Sequence, residues 1–326
     1  MNMEERPAPK LYLTVPCYNE GSILRDSLRT LLEKLAQLQA AGLAGVQSAV
    51  LCIDDGSADD TWAIIAEAHR QAPTRVLGIK LSANCGHQKA LLAGLMKAKE
   101  EADCAISIDA DLQDDIDVLD DFLREYRLGV DIVYGVRSDR SSDSLPKRLS
   151  AEGFYHLMAL MGAKVIFNHA DYRLMSRQAL QALSEYREVN LFLRGIVPLI
   201  GLRQSIVSYA RKATARKTHY TLKKMLILAW DGVSSFSIRP IRMISLLGLL
   251  VMAASFLFIL WYLYIKWTGA AVAGWTTLVI LILALGSLQL LGIGLIGEYI
   301  GKIYLEVKRR PRYIVEDVLG GEEPRA

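Results

Sequence analysis

The chain contains 326 residues, of which 52% are hydrophobic and 22% charged, so it is long enough for one or two folded domains and too apolar to be disordered. Its 38 Lys and Arg residues nearly balance 35 Asp and Glu residues, which argues against a nucleic-acid-binding protein. Four widely separated cysteines without a CxxC pair exclude a disulfide scaffold and a zinc ribbon, and favour reduced thiols in a cytosolic compartment.

Strands and helices are predicted to alternate along the first part of the chain. The predicted strands are LYLTVP, AVLCID, RVLGIKL, CAISID and DIVYG, and the segments between them carry apolar residues at helical spacing. This alternation is typical of a mostly parallel α/β sheet, in which ligands bind beyond the carboxyl ends of the strands. We therefore expect the functional site at those strand ends.

Polar clusters follow four consecutive predicted strands. The first strand runs into PCYNE, the second into DDGS, the third into SANCGH and the fourth into DADLQD. A single cluster of this kind is an ordinary turn, because Asp, Asn, Gly and Ser all favour turns. Four clusters at the same edge of a parallel sheet instead indicate a site for a polar ligand.

The fourth cluster contains an Asp-x-Asp motif with the spacing of a metal site. Asp109 and Asp111 are two residues apart at a strand end, so both side chains are expected to point the same way. Two carboxylates form a hard oxygen site for Mg²⁺ or Mn²⁺, and the amide oxygen of Gln113 would add a neutral ligand. The predicted metal ligands are Asp109, Asp111 and Gln113.

Two long uncharged segments lie closer to the carboxyl terminus. Residues 243–265 and 275–297 contain no charged side chain, and as helices with a rise of ~1.5 Å per residue each would extend about 35 Å. Basic residues flank the pair on its two outer sides, and the positive-inside rule then places both outer ends in the cytoplasm. The sequence predicts a transmembrane hairpin in the plasma membrane.

Two amphipathic segments are predicted to lie on the membrane surface. Residues 147–161 and 222–230 each combine Lys or Arg residues with apolar residues at helical spacing. A basic residue beside an apolar face suits an interfacial helix, and packing of that face on the sheet is the alternative. Interfacial helices would let a lipid substrate stay in the bilayer while its polar end reaches the site.

Several motifs together resemble a known enzyme family. VPCYNE, IDDGSADDT and SIDADLQDD resemble the family 2 glycosyltransferases, which have the GT-A fold. YGVRSDR, ADYRLMSR, EVNLFLRGIVPLIG and the C-terminal IGEYIGKIYLEVKRRPRYIVE resemble the polyisoprenyl-phosphate glycosyltransferases within that family. The pattern is most similar to that of the bactoprenol glucosyltransferases, and the dolichol-phosphate mannose synthases are related enzymes.

The resemblance implies where a nucleotide-sugar donor binds. In such enzymes the first two motifs hold the nucleotide, which implies that Pro16, Tyr18 and Glu20 line the nucleoside pocket. Asp54 or Asp55 would contact the base or the ribose. The residues implied beside the sugar and the diphosphate are Asn84, Gly86, His87, Lys89 and Asp109.

The implied acceptor is a polyprenyl phosphate, whose phosphate group is already an oxyanion. The enzyme then needs cations that position the phosphate more than it needs a general base. Arg137, Arg140 and Arg173 are the first candidates for that role. Lys147, Arg148 and Arg194 are the further candidates.

Asp171 is the remaining candidate catalytic residue. By the resemblance it would orient the donor or act as a base, and a buried salt bridge with Arg173 is the structural alternative. Together with the Asp-x-Asp motif and the arginines, it completes the predicted catalytic set. That set consists of Asp111, Arg137, Arg140, Asp171 and Arg173.

The resemblance covers residues 10–316 and implies a Rossmann-like GT-A catalytic domain at residues 1–210. A juxtamembrane amphipathic segment follows at 211–240, then two transmembrane helices within 241–301 and a cytoplasmic tail at 302–326, whose RPRYIVE run has strand character. The predicted reaction is metal-dependent, inverting transfer of glucose from UDP-glucose to undecaprenyl phosphate at the cytoplasmic face. A homo-oligomer such as a tetramer and a flippase for the product are the predicted partners.

Alternative functions stay open at this point. The same reaction with UDP-N-acetylglucosamine, a UDP-aminoarabinose derivative or GDP-mannose is the first alternative. Processive polysaccharide synthesis is disfavoured, because two membrane spans make a poor polymer channel and a QxxRW-like motif is missing from the sequence. A non-catalytic membrane partner or nucleotide-sugar sensor is disfavoured because the residues of the metal motif are all present.

Overall fold

A computed structural model describes residues 5–137, 169–188, 193–209, 239–268 and 274–320. The chain divides into two compact units, of which the first contains the sheet together with the segment after residue 309, and the second contains the two C-terminal helices. Arg140, Lys147, Arg148 and both predicted interfacial segments lie outside the described residues.

The amino-terminal half of the first unit alternates strands and helices. The apolar runs and helical spacings of the sequence predict this alternation, and it is confirmed element by element. The elements are β1 (Leu11–Cys17), α1 (Leu24–Ala40), β2 (Ala49–Asp54), α2 (Thr61–Gln71), β3 (Val76–Leu81), α3 (His87–Glu101), β4 (Cys104–Ser107), α4 (Leu119–Arg127) and β5 (Ile132–Arg137).

The rest of the first unit completes the sheet with elements that are distant in sequence. The strand within ADYRLMSR follows β5 in the chain, and the last strand comes from the C-terminal tail. These elements are β6 (His169–Ser176), α5 (Arg177–Ser184), α6 (Leu193–Ile196), β7 (Gln204–Tyr209) and β8 (Val315–Leu319).

The described strands form one mixed sheet in the order β7-β5-β6-β4-β1-β2-β3-β8. Its centre, β3-β2-β1-β4, is parallel, as the alternating pattern predicts. The prediction of a mostly parallel sheet misses β6, which is antiparallel to both β4 and β5. Because of this direction, the amino end of β6 and the carboxyl ends of β1 to β4 meet at the same edge.

Helices cover both faces of the central strands. On one face, β1 side chains such as Leu13 and Val15 join a buried cluster with α1, α2 and α4. On the other face α3 packs so closely that a Cβ on its Gly94 would lie 2.5 Å from Cδ1 of Ile53. Each fully buried aliphatic side chain stabilises the fold by about 1.5–3 kcal/mol, so the two layers hold the strand ends in fixed positions.

The C-terminal tail adds an edge strand to this sheet. β8 pairs antiparallel with β3, and the backbone N–H of Ser82 donates to the carbonyl oxygen of Ile314 at 3.0 Å. Lys80 and Glu316 form an ion pair of 2.8 Å across the same pairing. Only the last two residues of RPRYIVE, Val315 and Glu316, lie in this strand. The tail joins the sheet unit from residue 310 onward, whereas the predicted tail began at residue 302.

The second unit contains two long helices, α7 (Arg239–Trp267) and α8 (Trp275–Lys308). They include the two uncharged segments of the sequence. Among the residues that the structure describes, no helix combines the length and the apolarity that crossing a bilayer requires. The prediction that these segments are transmembrane helices is therefore not supported by the structure.

Candidate active site

The loops after β1 and β2 are tied together by hydrogen bonds. The N–H of Asn19 donates to Oγ of Ser57 at 2.9 Å, and the Asn19 side-chain oxygen accepts from the N–H of Ala58 at 2.8 Å. The N–H of Glu20 donates to Oγ1 of Thr61 at 3.0 Å. The first two polar clusters of the sequence thus form one continuous surface at the sheet edge.

The predicted nucleoside residues are exposed to different extents. Tyr18 exposes 49% of its surface and Glu20 is partly exposed, so both are open to a ligand. Pro16 is buried within β1, which leaves its side chain no surface for the predicted contact. Asp54 is buried as well, and its Oδ1 accepts from the N–H of Ser57 at 3.2 Å.

Asp55, one of the two carboxylates predicted at the base or the ribose, is buried in the structure. Its side chain is only 2% exposed. Oδ1 accepts from the N–H of Cys85 at 2.8 Å, and Oδ2 accepts from the N–H of Gly86 at 3.0 Å. The carboxylate therefore binds the loop after β3 and does not face the open edge of the sheet.

Gly56 allows the loops after β2 and β3 to approach each other closely. It has a φ of +66°, and a Cβ at this position would lie 2.6 Å from the backbone N of Asn84. Positive φ costs about 1–2 kcal/mol for a residue with a side chain. A side chain at position 56 would therefore strain the turn and displace the loop that contains Asn84. Asn84 itself is exposed.

Gly56→Ala is expected to destabilise the protein by more than the ~1–2 kcal/mol of positive φ alone, and to impair its activity. Gly42→Ala is the matched control, because Gly42 also has a φ of +66° but no described atom within 4 Å of a Cβ. Thermal unfolding and activity should be measured for both variants. Equal losses of stability with unchanged activity in both would contradict the close approach of the two loops.

Two carboxylates and a histidine converge at the carboxyl edge of the sheet. His87 is the first residue of α3, and its Nε2 lies 3.7 Å from Oδ1 of Asp109 and 3.7 Å from Oδ2 of Asp171. Asp109 follows β4, whereas Asp171 belongs to β6, which lies beside β4. The structure thus brings together three of the predicted site residues from separate motifs.

The carboxyl group of Asp109 has an unfavourable environment for its negative charge. Desolvation raises its pKa, the carboxylates of Asp171, Asp114 and Asp111 raise it further, and His87 acts in the opposite direction. About half of the Asp109 side chain (49%) remains exposed. A positively charged ligand could reach this carboxylate and would stabilise its ionised form.

Asp111 and Gln113 lie together in a tight turn after β4. The side-chain Nε2 of Gln113 donates to Oδ2 of Asp111 at 2.6 Å, and Leu112 between them has a φ of +46°. In the part of the chain that the structure describes, no group of three or more His, Cys, Asp or Glu side chains is arranged to hold a metal ion. Two carboxylates and an amide would leave positions on an octahedral ion for a diphosphate.

Arg173 is fully buried, and its Nη2 donates to Oδ1 of Asp171 at 2.8 Å. This burial does not fit the prediction that Arg173 positions an acceptor phosphate, and it agrees with the alternative of a buried salt bridge. Arg194 of α6 pairs with the same carboxylate, with its Nη2 at 3.0 Å from Oδ2, and keeps 38% of its side chain exposed. Of these two arginines, Arg194 is the one that a phosphate can reach.

The charges around Asp171 distinguish between its two predicted roles, which are orientation of the donor and action as a base. Burial acts to raise the pKa of its carboxyl group, but the Arg194 and Arg173 guanidinium groups outweigh burial and hold the pKa well below its usual range. A carboxylate with so low a pKa is ionised at neutral pH and is a weak proton acceptor. The structure therefore favours orientation of neighbouring groups over general base catalysis for Asp171.

Comparison with known proteins places the chain in a family. The profile of glycosyl transferase family 2 matches residues 12–184. The uncharacterized glycosyltransferase YkoT of Bacillus subtilis (strain 168) is 50% identical over 97% of this chain and 94% of that protein. The SfII prophage-derived bactoprenol glucosyl transferase of Shigella flexneri is 37% identical over 94% of this chain and 97% of that protein.

A third relative, the bactoprenol glucosyl transferase of Shigella phage SfV, is 37% identical over 94% of this chain and 98% of that protein. The chain belongs to glycosyl transferase family 2. The resemblance that the sequence motifs indicate is thus confirmed, and the chain is a glycosyltransferase with a GT-A-like mixed α/β sheet. It is similar over nearly its whole length to proteins named bactoprenol glucosyl transferase.

Two hydrogen bonds near the candidate site of this glycosyltransferase involve residues that the sequence motifs did not single out. Oε1 of Gln88 in α3 accepts from the N–H of Leu193, which anchors the start of α6. The hydroxyl of Tyr209 donates to Oδ1 of the buried Asp114 at 2.6 Å and so fixes the segment after the Asp-x-Asp motif. The DADLQDD motif shows that Asp114 is a further acidic residue, but nothing in the nearby sequence indicates that it pairs with Tyr209.

Two predicted residues of the glycosyltransferase are placed only in part. Arg137 is the last residue of β5, whose carboxyl end lies at the same edge as that of β4, and its side chain is outside what the structure describes. Lys89 lies in the first turn of α3 and is partly exposed. Both positions are compatible with the predicted contacts, and their roles stay predictions.

Proposed function

We propose that this glycosyltransferase transfers glucose from UDP-glucose to undecaprenyl phosphate with inversion at the anomeric carbon, and that it requires Mg²⁺ or Mn²⁺. The observation that carries the proposal is the convergence of His87, Asp109 and Asp171 at the carboxyl edge of the sheet. The relatives named bactoprenol glucosyl transferase support both the acceptor and the sugar.

A divalent cation fits the chemistry of this edge. Carboxylates surround Asp109 and raise its pKa, and a bound cation would relieve their mutual repulsion. Asp109, Asp111 and Gln113 would hold the ion, and all three provide the oxygen ligands that Mg²⁺ and Mn²⁺ prefer. When bound, the ion would neutralise the negative charge that develops on the departing nucleoside diphosphate.

The phosphate acceptor needs little activation by the protein. A lipid monophosphate carries about −1.5 to −2 charge at pH 7 and attacks as an oxyanion, which agrees with the absence of a strong base role for Asp171. Arg194 is partly exposed beside Asp171 and is our candidate for positioning this phosphate. We retain Arg137 and Arg140 as candidates for the same role.

The second unit supports association with a membrane. Leu257 in α7 and Leu290 and Ile293 in α8 are exposed by 66%, 71% and 65%. Exposed apolar surfaces mark sites of contact with lipid or protein, and a polyprenyl substrate favours lipid. We infer that the enzyme works at the cytoplasmic face of the plasma membrane; the homo-oligomer and the flippase stay predictions.

A panel of donors tests the proposal. The full-length protein is purified in detergent, supplied with undecaprenyl phosphate and Mg²⁺ or Mn²⁺, and given one radiolabelled nucleotide sugar at a time. We expect chloroform-soluble label from UDP-glucose, and none when EDTA is present. Label from UDP-N-acetylglucosamine, a UDP-aminoarabinose derivative or GDP-mannose alone would replace the donor assignment. A folded protein that forms no glycolipid from any donor would contradict the proposed function.

A further inference from the structure

The segment between β3 and α3, residues 82–86, forms the donor loop, and the carboxylate of Asp55 accepts two of its backbone N–H groups. Both oxygens of Asp55 accept backbone N–H groups of the loop, from Cys85 at 2.8 Å and from Gly86 at 3.0 Å. The thiol of Cys85 also donates to Oδ1 of Asp55 at 3.2 Å. Charge-assisted hydrogen bonds of this kind are about twice as strong as neutral ones.

The position of Asp55 is itself fixed by the sheet. Its backbone N–H donates to the carbonyl oxygen of Cys17 at the end of β1, at 2.9 Å. Its side chain is only 2% exposed, so the carboxylate has little surface left for a ligand. Asp55 therefore links the rigid centre of the sheet to the donor loop.

The hydrogen bonds between Asp55 and the donor loop fix the position of the first residue of α3. Gly86 has a φ of +93°, a conformation that residues with side chains rarely adopt, and its N–H points to Asp55. The next residue is His87, whose Nε2 lies 3.7 Å from both Asp109 and Asp171. A shift of the loop would therefore move His87 relative to these carboxylates.

We propose that Asp55 is a positioning residue of this enzyme, whose buried carboxylate holds the donor loop through two backbone N–H groups and so places His87 against Asp109 and Asp171. The inference rests on the proposed function, because it deepens the account of the donor side of that site. It replaces a direct contact between Asp55 and the nucleotide. Misplacement of a reacting group by about 1 Å costs roughly 10²-fold in rate.

Cys85 offers a probe of this contact that is independent of activity. Burial, then the hydrogen bond to Asp55 and its negative charge, together raise the pKa of this thiol to about 12, while Lys89 opposes them. Thiols react with alkylating reagents as thiolates, so Cys85 should react slowly in the native enzyme. Cys17, Cys52 and Cys104 are buried and serve as internal references for the integrity of the fold.

The test compares Asp55→Asn with Asp121→Asn, an identical change at an exposed carboxylate of α4 that pairs with Arg124. Asparagine has nearly the shape of aspartate, but its NH₂ group would face one of the two N–H donors of the loop. For Asp55→Asn we expect kcat to fall at least about tenfold and Cys85 alkylation at pH 8 to rise at least about tenfold. The Kd for UDP should stay within about twofold of the native value, since the nucleotide does not contact Asp55.

The measurements of kcat, Cys85 alkylation and UDP affinity together distinguish positioning by Asp55 from direct contact with the nucleotide. Loss of kcat with faster alkylation of Cys85 alone, and an unchanged Asp121→Asn control, would support positioning by Asp55. Weaker UDP binding with slow Cys85 alkylation would overturn it in favour of direct nucleotide contact, and unchanged kcat with unchanged alkylation would overturn it as well. If the native enzyme formed no glycolipid from any donor, the alkylation rates would still test the hold on the loop.

Hydrogen exchange provides a measurement that needs no variant, in case Asp55→Asn does not fold. In the native enzyme the amides of Cys85 and Gly86 donate to Asp55 and should exchange at least about tenfold more slowly than unprotected amides. Exchange of both amides at the rate of an unstructured peptide would overturn the proposal. Protection of both, in a loop whose residues 82–84 are exposed, would support it.

Discussion

Replacement of Asp109 by asparagine is expected to lower kcat for glycolipid formation by about 10²- to 10³-fold, the magnitude typical for loss of one group that stabilises developing charge. Asp109 is the exposed carboxylate that faces His87 and stands beside Asp111 and Asp171. Asparagine keeps the shape of the side chain and removes its charge, so a cation would be held more weakly. The measurement is kcat in the donor assay over a range of Mn²⁺ concentrations.

The control for this prediction is Asp26→Asn, the same change at an exposed carboxylate of α1 that pairs with Arg29. We expect it to leave kcat and the Mn²⁺ dependence unchanged. For Asp109→Asn the Mn²⁺ concentration at half-maximal rate should rise at least about tenfold, because a ligand charge has been lost. An unchanged Mn²⁺ dependence with a lower kcat would show that Asp109 acts on the reaction without binding metal.

The central part of the fold was predictable because its signals are local. The apolar run of β1 and the helical spacing in α1 each determine one element without reference to the rest of the chain. The same holds for the Asp-x-Asp motif, since the direction of a strand end brings the polar clusters to one edge. The polar edge of the sheet is therefore encoded in short segments.

The insertion of β6 could not be predicted, because it depends on pairing between distant segments. β6 lies between β4 and β5, although the chain reaches it only after both of them. Its period-two pattern places Asp171 and Arg173 on one side of the strand, where Arg194 from α6 joins them. The sequence allows a buried salt bridge between Asp171 and Arg173 as an alternative, but arginines are usually exposed, and the burial of this one follows from the distant arrangement.

Asp55 shows a second limit of prediction from the sequence. In the sequence it stands in a run of polar residues, IDDGSADDT, which is typical of a ligand-binding loop. Its partners are the backbone N–H groups of Cys85 and Gly86. Because these are backbone groups, the pattern of residue types does not reveal the contact. The sequence predicts a contact of Asp54 or Asp55 with the base or the ribose, whereas in the structure both oxygens of Asp55 already bind the loop after β3.

Asp171→Asn is expected to destabilise the protein strongly and to abolish transfer. The change would leave Arg173 fully buried without its carboxylate partner, and breaking a buried ion pair in this way costs about 3–5 kcal/mol. That loss corresponds to a drop of roughly 10 °C in the unfolding temperature of a domain of this size. The measurements are Tm by thermal unfolding of the full-length protein and kcat in the donor assay.

The pH dependence of this effect follows from the sign of the pKa shift. The pKa of Asp171 is lower in the folded protein than the value of about 3.9 in an unfolded chain, so its ionisation stabilises the folded state at all pH values above that range. The contribution is lost only as the pH falls through the folded pKa. The ionisation of Asp171 should therefore add no pH dependence of its own to the difference in Tm between the native protein and Asp171→Asn from about pH 5 to pH 8.

A second substitution separates the structural role of Asp171 from its role in the reaction. Arg173→Met in the Asp171→Asn background removes the buried charge that has lost its partner, so most of the lost Tm should return. Transfer should stay absent, because Arg194 and His87 would still lack the carboxylate that they face. Recovery of transfer together with Tm would mean that Asp171 serves the fold alone, whereas recovery of Tm alone would assign it to the active site.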